Sequence, residues 1–195
     1  MSYTILKDFE NALSSYTGAP YVVLTDCCTH ALELCFRHKK VKYTMCPQFT
    51  YLSVPMMLYK IGVGFEWSNE PWYHEYELSN GIWDSARAFD RDMYRKGQMQ
   101  CLSFGNSKRL DLKRGGAILL DNEQDYTALK RMSYDGRDLD ITPWHLQPSF
   151  NLGFHYRMDL ETAQAGIEKL ASNQLDTKVS QLVNYPDCSQ LKIDF

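Results

Sequence analysis

The sequence lacks long apolar runs and has almost no excess of charge, which excludes several classes of protein. No stretch of about 18 apolar residues occurs, so we expect no membrane-spanning helix. The formal net charge is -3 over 195 residues, which gives no electrostatic basis for binding nucleic acid. The first residues, Met1-Ser2-Tyr3-Thr4, lack the basic and apolar segments of a signal peptide, so we expect a cytoplasmic protein.

Paired cysteine motifs are also missing. The six cysteines form no Cys-x-x-Cys pair, and a disulfide framework is not expected in a chain of this length without export signals. Most of them lie in apolar runs, where a reduced thiol behaves as a small buried hydrophobe. The run Cys27-Cys28-Thr29-His30 contains residue types that bind metals, but no second half of a metal motif accompanies it. We therefore expect a helix start there and no metal site.

What is present is ordinary globular composition, with 44% apolar and 23% charged residues. Apolar residues at three- and four-residue spacing predict helices, and short apolar runs between polar residues predict strands. The predicted helices cover residues 4–15, 31–38, 51–60 and 124–132, and a fifth follows an Asp159 cap. The predicted strands cover 21–24, 43–46, 63–67, 82–84, 100–104 and 117–120. The segments 69–80 and 139–154 read as irregular.

Strands alternate with helices through most of the chain. This pattern predicts an α/β fold with a mixed, mostly parallel sheet and helices on both faces. We expect residues 1–175 to form this domain and residues 176–195 to form a tail without a separate domain. Ligands of such folds bind beyond the carboxyl ends of the strands, so the residues that follow the strands are the candidates for function.

Four features lie at those strand ends. The turn at Cys28 and Thr29 opens a helix, whose first N–H groups bind anions, and Tyr51 opens the next helix. Asp84 ends a strand, and Lys108 lies on a Ser/Gly/Asn-rich turn. Each has an ordinary structural explanation as a cap, a packing ring, a turn residue or a solvated charge. Together, an anion cup, an aromatic ring, a carboxylate and an amine are what pyridoxal phosphate (PLP) needs.

Several sequence blocks, in this order, resemble one family. They are Cys28-Thr29-His30-Ala31-Leu32, Pro47-Gln48-Phe49-Thr50-Tyr51, Asp84-Ser85-Ala86-Arg87-Ala88, Ser103-Phe104 to Lys108 with Arg114-Gly115-Gly116, and Gly153-Phe154-His155-Tyr156-Arg157-Met158. The chain resembles, over about residues 5 to 172, the DegT/DnrJ/EryC1/StrS sugar aminotransferases. These are fold type I PLP-dependent enzymes, so the resemblance implies the large domain of that fold.

The resemblance also implies roles for individual residues. Lys108 would bind the cofactor as a Schiff base and later move a proton, while Asp84 would pair with the pyridine nitrogen. Tyr51 would stack on the ring. The phosphate would be held by Cys28, Thr29 and Ser103.

Two further positions depart from the family pattern. Arg87 stands where the family usually has Gln or His near the cofactor hydroxyl, and we assign it to cofactor binding. His155 replaces a family Asn in the loop 153–158, which reaches the cofactor of a neighbouring subunit. The resemblance therefore implies a homodimer with shared active sites.

The implied reaction moves an amino group from an amino acid to a keto sugar, most simply a nucleotide-linked one. Members of the family are much longer and carry a C-terminal small domain that helps to bind substrate. This difference leaves two alternatives open. One is a non-catalytic PLP-binding relic that serves as a scaffold dimer, and the other is an enzyme with different PLP chemistry, such as dehydration. The presence of both Lys108 and Asp84 favours the enzyme, because a pure scaffold needs neither.

Overall fold

The structure is a computed structural model that describes residues 3–141, 143–176 and 185–193. Its helices are α1 (Thr4–Thr17), α2 (Cys28–His38), α3 (Ser53–Lys60), α4 (Glu123–Ser133) and α5 (Leu160–Ala171). Its strands are β1 (Tyr21–Thr25), β2 (Tyr43–Pro47), β3 (Gly64–Ser68), β4 (Tyr76–Ser79), β5 (Ile82–Asp84), β6 (Met99–Ser103) and β7 (Gly116–Leu120). Two short 3-10 turns cover Trp144–Leu146 and Cys188–Gln190.

Five strands form one mixed sheet in the order β1-β7-β6-β5-β4, and β2 pairs with β3 separately. The pairs β5/β6 and β2/β3 are parallel. The pairs β1/β7, β6/β7 and β4/β5 are antiparallel. The α/β class and the mixed sheet are confirmed, but fewer pairs are parallel than expected. The reason is that the segment 104–115 between β6 and β7 contains no crossover helix, which a parallel connection needs.

Helices cover both faces of the main sheet, as expected. On one face, Phe9 of α1 and Ala163 of α5 pack in a cluster with Leu102. On the other face, Leu32 of α2 joins a cluster with Cys101, together with residues of α3 and α4. Cys101 and Leu102 are neighbours in β6, and successive side chains of a strand point to opposite faces. The sheet is therefore buried between two apolar layers.

The prediction that residues 69–80 are irregular was wrong in part, because β4 lies within them. Asn80-Gly81 forms the turn that joins β4 to β5, and Gly81 has a φ of 79°. Glycine adopts this left-handed conformation without steric cost, and an Asn-Gly pair between two strand-like runs is a strong hairpin signal. Tyr76 and Leu78 are buried while Glu77 is exposed, which is the alternation of a half-buried strand. The sequence contained this signal.

The described part of the tail contacts the segment between β2 and α3. The backbone N–H of Cys188 donates to the carbonyl oxygen of Gln48 at 2.8 Å. The Cys188 thiol donates to the carbonyl oxygen of Thr50 at 3.4 Å, and its side chain is buried. Residues 177–184 and 194–195 of the predicted tail lie outside the described residues, and a boundary near residue 175 stays a prediction.

Two expectations drawn from missing features can be compared with the structure. All six cysteines are unpaired, and five of them are buried, as the apolar runs around most of them predict. Among the residues that the structure describes, no helix combines the length and the apolar character needed to cross a membrane.

Candidate active site

A cavity of about 640 Å³ opens where β5 and β6 end and α2 begins. Asp84 ends β5 and Ser103 ends β6, and because these strands are parallel neighbours, both residues lie at one edge of the sheet. Seven of the eight predicted site residues line this cavity: Cys28, Thr29, Tyr51, Asp84, Arg87, Ser103 and Lys108. The structure therefore brings together residues that are up to 80 positions apart in the chain, since 108 minus 28 is 80.

Asp84 lies at the base of the cavity and is only 7% exposed. The Tyr76 hydroxyl donates to Asp84 Oδ2 at 2.7 Å, and the Ala86 backbone N–H donates to Oδ1 at 3.0 Å. Burial raises the pKa of the Asp84 carboxyl, and these hydrogen bonds offset only part of the rise. Hydrogen bonds from neutral donors favour the charged form of a buried carboxyl, and these two fix the position of Asp84 in the cavity wall.

Tyr76 is a site residue that the sequence analysis missed. Its hydroxyl lies 2.6 Å from Thr50 Oγ1 and donates its single proton to Asp84. A tyrosine hydroxyl has one proton to donate, so Thr50 is the donor to Tyr76. Burial raises the pKa of Tyr76 well above its ordinary value, which keeps the phenol neutral. We call Thr50, Tyr76 and Asp84 the cavity floor.

Lys108 follows the turn after β6, and its backbone N–H donates to the Gly105 carbonyl at 3.3 Å. Burial lowers the pKa of the Lys108 amine, and the charge of Arg87 lowers it further. Cys28 and Asp84 act in the opposite direction, but the pKa stays below the ordinary lysine value. A lysine whose charged form is disfavoured is a better nucleophile.

The proposed anion cup is formed at the start of α2. Thr29 Oγ1 lies 2.6 Å from Ser53 Oγ, so two hydroxyls meet there, and Ser103 also lines the cavity. The close approach of β7 explains the second glycine of the Gly115-Gly116 pair. A Cβ at Gly116 would lie 2.5 Å from the Cys27 carbonyl carbon, so a side chain there would displace the helix start.

Cys28 would contribute to this cup through its backbone. Its thiol is buried, lies 3.4 Å from the Cys101 carbonyl oxygen and 3.9 Å from Asp84 Oδ1, and thus points toward the cavity floor. Burial raises the Cys28 pKa well above its ordinary value, so the side chain is a neutral thiol. Cys28 is the first residue of α2 and has helical backbone, so only its N–H is directed as a phosphate ligand requires.

Three aromatic side chains from loop segments form what we call the aromatic rim. Tyr51 is 62% exposed, and its ring centroid lies 6.4 Å from that of Tyr185. Trp72 stacks on Tyr185 at 6.0 Å, and its indole N–H donates to the Phe49 carbonyl at 2.9 Å. Trp72 and Tyr185 come from a segment and a tail without periodic pattern, so the sequence analysis did not find them.

The remaining two predicted residues lie in different places. Arg87 is buried, lines the cavity and acts electrostatically on Lys108. His155 does not line the cavity of its own chain. Its Nδ1 lies 3.2 Å from both carboxylate oxygens of Asp135, and its side chain is 76% exposed. Its predicted role at a neighbouring subunit's cofactor stays a prediction.

Solved structures of similar fold are enzymes. The aminotransferase from Psychrobacter cryohalolentis has a TM-score of 0.72 at 15% identity, over 86% of this chain and 56% of its own. NtdA from Bacillus subtilis with bound cofactor PMP has a TM-score of 0.70 at 18% identity, over 87% of this chain and 48% of its own. GDP-4-keto-6-deoxymannose-3-dehydratase has a TM-score of 0.69 at 14% identity, over 87% of this chain and 61% of its own. This chain thus spans about half the length of these structures.

The sequence itself identifies the family. No curated protein matches this chain. Residues 1–65 and 82–182, most of the chain, match the model of one family. The unmatched residues between these ranges include β4 with Tyr76, and Trp72 of the aromatic rim. The chain belongs to the DegT/DnrJ/EryC1/StrS aminotransferase family, a family of PLP-dependent enzymes.

Proposed function

We propose that this chain binds PLP at Lys108 and transfers an amino group from an amino acid to a keto sugar, most simply a nucleotide-linked one. The observation that carries the proposal is the pairing of two groups in one cavity. Asp84 supplies a buried carboxylate, and Lys108 supplies an amine whose pKa is lowered. Both lie among the lining residues of a single cavity, and this combination is not needed for packing.

The residues present fit the cofactor. Its phosphate would be held at the start of α2 by the Cys28 backbone N–H and by the hydroxyls of Thr29, Ser53 and Ser103; those of Thr29 and Ser53 already lie 2.6 Å apart. Its ring would lie against Tyr51, and its pyridine nitrogen would face Asp84. The volume of about 640 Å³ lies within the usual range of about 300–1,000 Å³ for small-molecule sites.

When bound, PLP supplies an electron sink for negative charge that develops on the substrate carbon. The chain supplies the groups around it. Asp84 would stabilise a protonated nitrogen by its charge, and Tyr76 and Thr50 fix the position of that carboxylate. Lys108 would bind the cofactor through its neutral Nζ and, once the amino donor has displaced it, would accept and return a proton on the same atom. Arg87 provides a fixed positive charge beside Lys108.

We further propose that the chain works as a homodimer in the cytoplasm. The support is that His155 is exposed and lies outside its own cavity, which is where a residue that serves a neighbouring subunit would lie. The six unpaired cysteines agree with a reducing compartment.

Amino transfer is tested by a half-reaction. The purified chain is loaded with PLP, and glutamate or glutamine is added while the visible spectrum of the bound cofactor is followed. We expect the absorbance of the lysine-bound form to be lost, with release of the 2-keto acid, and we expect no such change in Lys108→Ala.

Lys113→Ala is the matched control, because Lys113 also lines the cavity but its side chain is 75% exposed and pairs with Asp111 at 3.2 Å. It should react like the wild type. A loaded protein that leaves all amino donors unchanged but dehydrates a keto sugar would replace amino transfer with dehydration. A protein that binds no PLP would support the scaffold alternative.

A further inference from the structure

Three side chains with metal-binding atoms converge where β1 ends and α2 begins. One atom each from Asp26, Cys27 and His30 lies within 4.8 Å of the other two. Asp26 and Cys27 follow β1, and His30 lies in the first turn of α2. His30 Nδ1 is 2.6 Å from Asp26 Oδ1. All three side chains are half-buried, so an ion can reach them from solvent.

This donor set suits a zinc-like ion. Zinc is bound in proteins by thiolate, imidazole and carboxylate, at bond lengths of about 2.0–2.3 Å, which places tetrahedral ligand atoms roughly 3.3–3.8 Å apart. The three atoms here lie within 4.8 Å of one another, and the His30 contact to Asp26, at 2.6 Å, would have to open by roughly 0.7 Å to admit an ion. Three protein ligands leave the fourth position for water or another molecule.

The backbone around the cluster is fixed before any ion binds. The Asp26 N–H donates to the Tyr156 carbonyl at 2.8 Å, and the Asp26 carbonyl accepts from the Gly115 N–H at 2.9 Å. The His30 ring stacks on the Tyr156 ring at a centroid distance of 3.6 Å and an angle of 5°. The His30 backbone N–H donates to Cys27 Sγ at 3.4 Å. Such outer contacts orient metal ligands.

Other histidine–carboxylate pairs in the described ranges lack this combination. His38 pairs with Asp125 at 2.7 Å, but Lys39 also binds Asp125 at 2.7 Å and would repel a cation. His155 pairs with Asp135 without a thiol nearby. Within the described ranges, Asp26, Cys27 and His30 form the one group in which a carboxylate, a thiol and an imidazole come together.

We propose that Asp26, Cys27 and His30 form a binding site for Zn²⁺ or a similar thiophilic divalent ion. The sequence argument dismissed Cys27 and His30 because it found no distant partner motif, whereas the third ligand is the adjacent Asp26. Cys27 also lines the large cavity, so the bound ion lies in its wall. The site does not depend on PLP.

The test uses the full chain, stripped with a chelator and kept free of PLP. Co²⁺ is titrated and the thiolate-to-cobalt charge-transfer absorbance is recorded, and Zn²⁺ is then used to displace it. We expect one Co²⁺ per chain, and at least a 10-fold loss of affinity in Asp26→Asn and His30→Gln. The charge-transfer band should disappear in Cys27→Ser. Serine is a good helix N-cap, so this variant should keep the start of α2.

His38→Gln is the matched control, since it removes a histidine that pairs with a carboxylate without a thiol, and its affinity for Co²⁺ should equal that of the wild type. A charge-transfer band that survives in Cys27→Ser would assign the ion to another thiol and overturn the proposal. The absence of stoichiometric Co²⁺ binding by the wild type at micromolar concentration would overturn it as well. Neither result bears on the binding of PLP to Lys108.

Discussion

The cavity floor and the aromatic rim enclose the same space but are built in different ways. In the floor, strands carry Tyr76 and Asp84, which are both 7% exposed, and hydrogen bonds of 2.6 and 2.7 Å connect them to Thr50. In the rim, loop segments carry exposed Tyr51 and its aromatic neighbours, which meet only through rings 6.0 to 6.4 Å apart.

This difference predicts separate roles, in which the floor residues serve the reaction and the rim residues enclose the cofactor. Burial shifts the pKa values of the floor residues, and a hydrogen bond to a charged group contributes about 1.5–3 kcal/mol. Ring contacts contribute about 0.5–1.5 kcal/mol and tolerate changes in geometry. Substitutions in the floor should therefore change reaction rates and stability, whereas substitutions in the rim should change mainly the affinity for the cofactor.

The largest effect is expected for Asp84→Asn. The amide keeps the shape of the side chain but removes the charge that would stabilise a protonated pyridine nitrogen. The half-reaction with an amino donor should slow on the order of 100-fold or more, while PLP binding changes far less. Stopped-flow spectroscopy of the loaded variant measures this rate. An unchanged rate would show that Asp84 is only a turn residue.

Tyr76→Phe should have the next largest effect, because it removes the donor to Asp84 and the acceptor of Thr50. We expect the free energy of unfolding to fall by about 1.5–3 kcal/mol, as measured by urea denaturation. Tyr185→Phe is the matched change in the rim, and it should stay within about 0.5 kcal/mol of the wild type. Equal losses in both variants would remove the distinction between floor and rim.

Removing a ring from the rim should weaken binding modestly. Tyr51→Ala is expected to raise the Kd for PLP roughly 2- to 10-fold, which corresponds to one ring contact. The rate of the half-reaction at saturating PLP should not change. Tyr43→Ala is the control, since Tyr43 is similarly exposed and does not line the cavity. A rate loss like that of Asp84→Asn would contradict the assignment of Tyr51 to enclosure.

The smallest effect is a shift in pH dependence. Covalent binding of PLP requires the neutral amine, so its rate rises as pH passes the Lys108 pKa. Burial lowers this pKa, so the midpoint should lie below the ordinary lysine value of about 10.4. The Asp84 charge raises the pKa, so Asp84→Asn should move the midpoint lower still. Nα-acetyl-lysine, which keeps a free side-chain amine, serves as the reference, and a higher midpoint in the variant would contradict the argument.

The floor and the rim also differ in how far the sequence predicts them. Asp84 and Ser103 directly follow short apolar runs, and parallel neighbouring strands bring their ends together, so pattern alone placed them correctly. Trp72 and Tyr185 lie where no periodicity exists, and tertiary packing alone brings them to the cavity. Tyr76 was predictable from the Asn80-Gly81 turn, which indicates a hairpin.

The orientation of side chains was the second limit of the sequence argument. The sequence predicted a helix start at Cys28 with its backbone N–H directed at an anion, but it did not indicate that the Cys28 thiol points to the floor. A sequence gives the position of a residue along an element, while the direction of its side chain depends on what is packed around it. For the same reason the contact of Asp26 with His30 appeared only in three dimensions.

The most direct test of the account is to locate the covalent adduct. The wild-type chain is mixed with PLP, reduced with borohydride, digested and mapped by mass spectrometry, with Lys108→Ala treated in the same way. The account predicts one stoichiometric adduct on Lys108, and none at that stoichiometry in the variant. An adduct on the exposed Lys113, or equal labelling of the variant, would contradict the claim that burial in this cavity makes Lys108 the reactive amine.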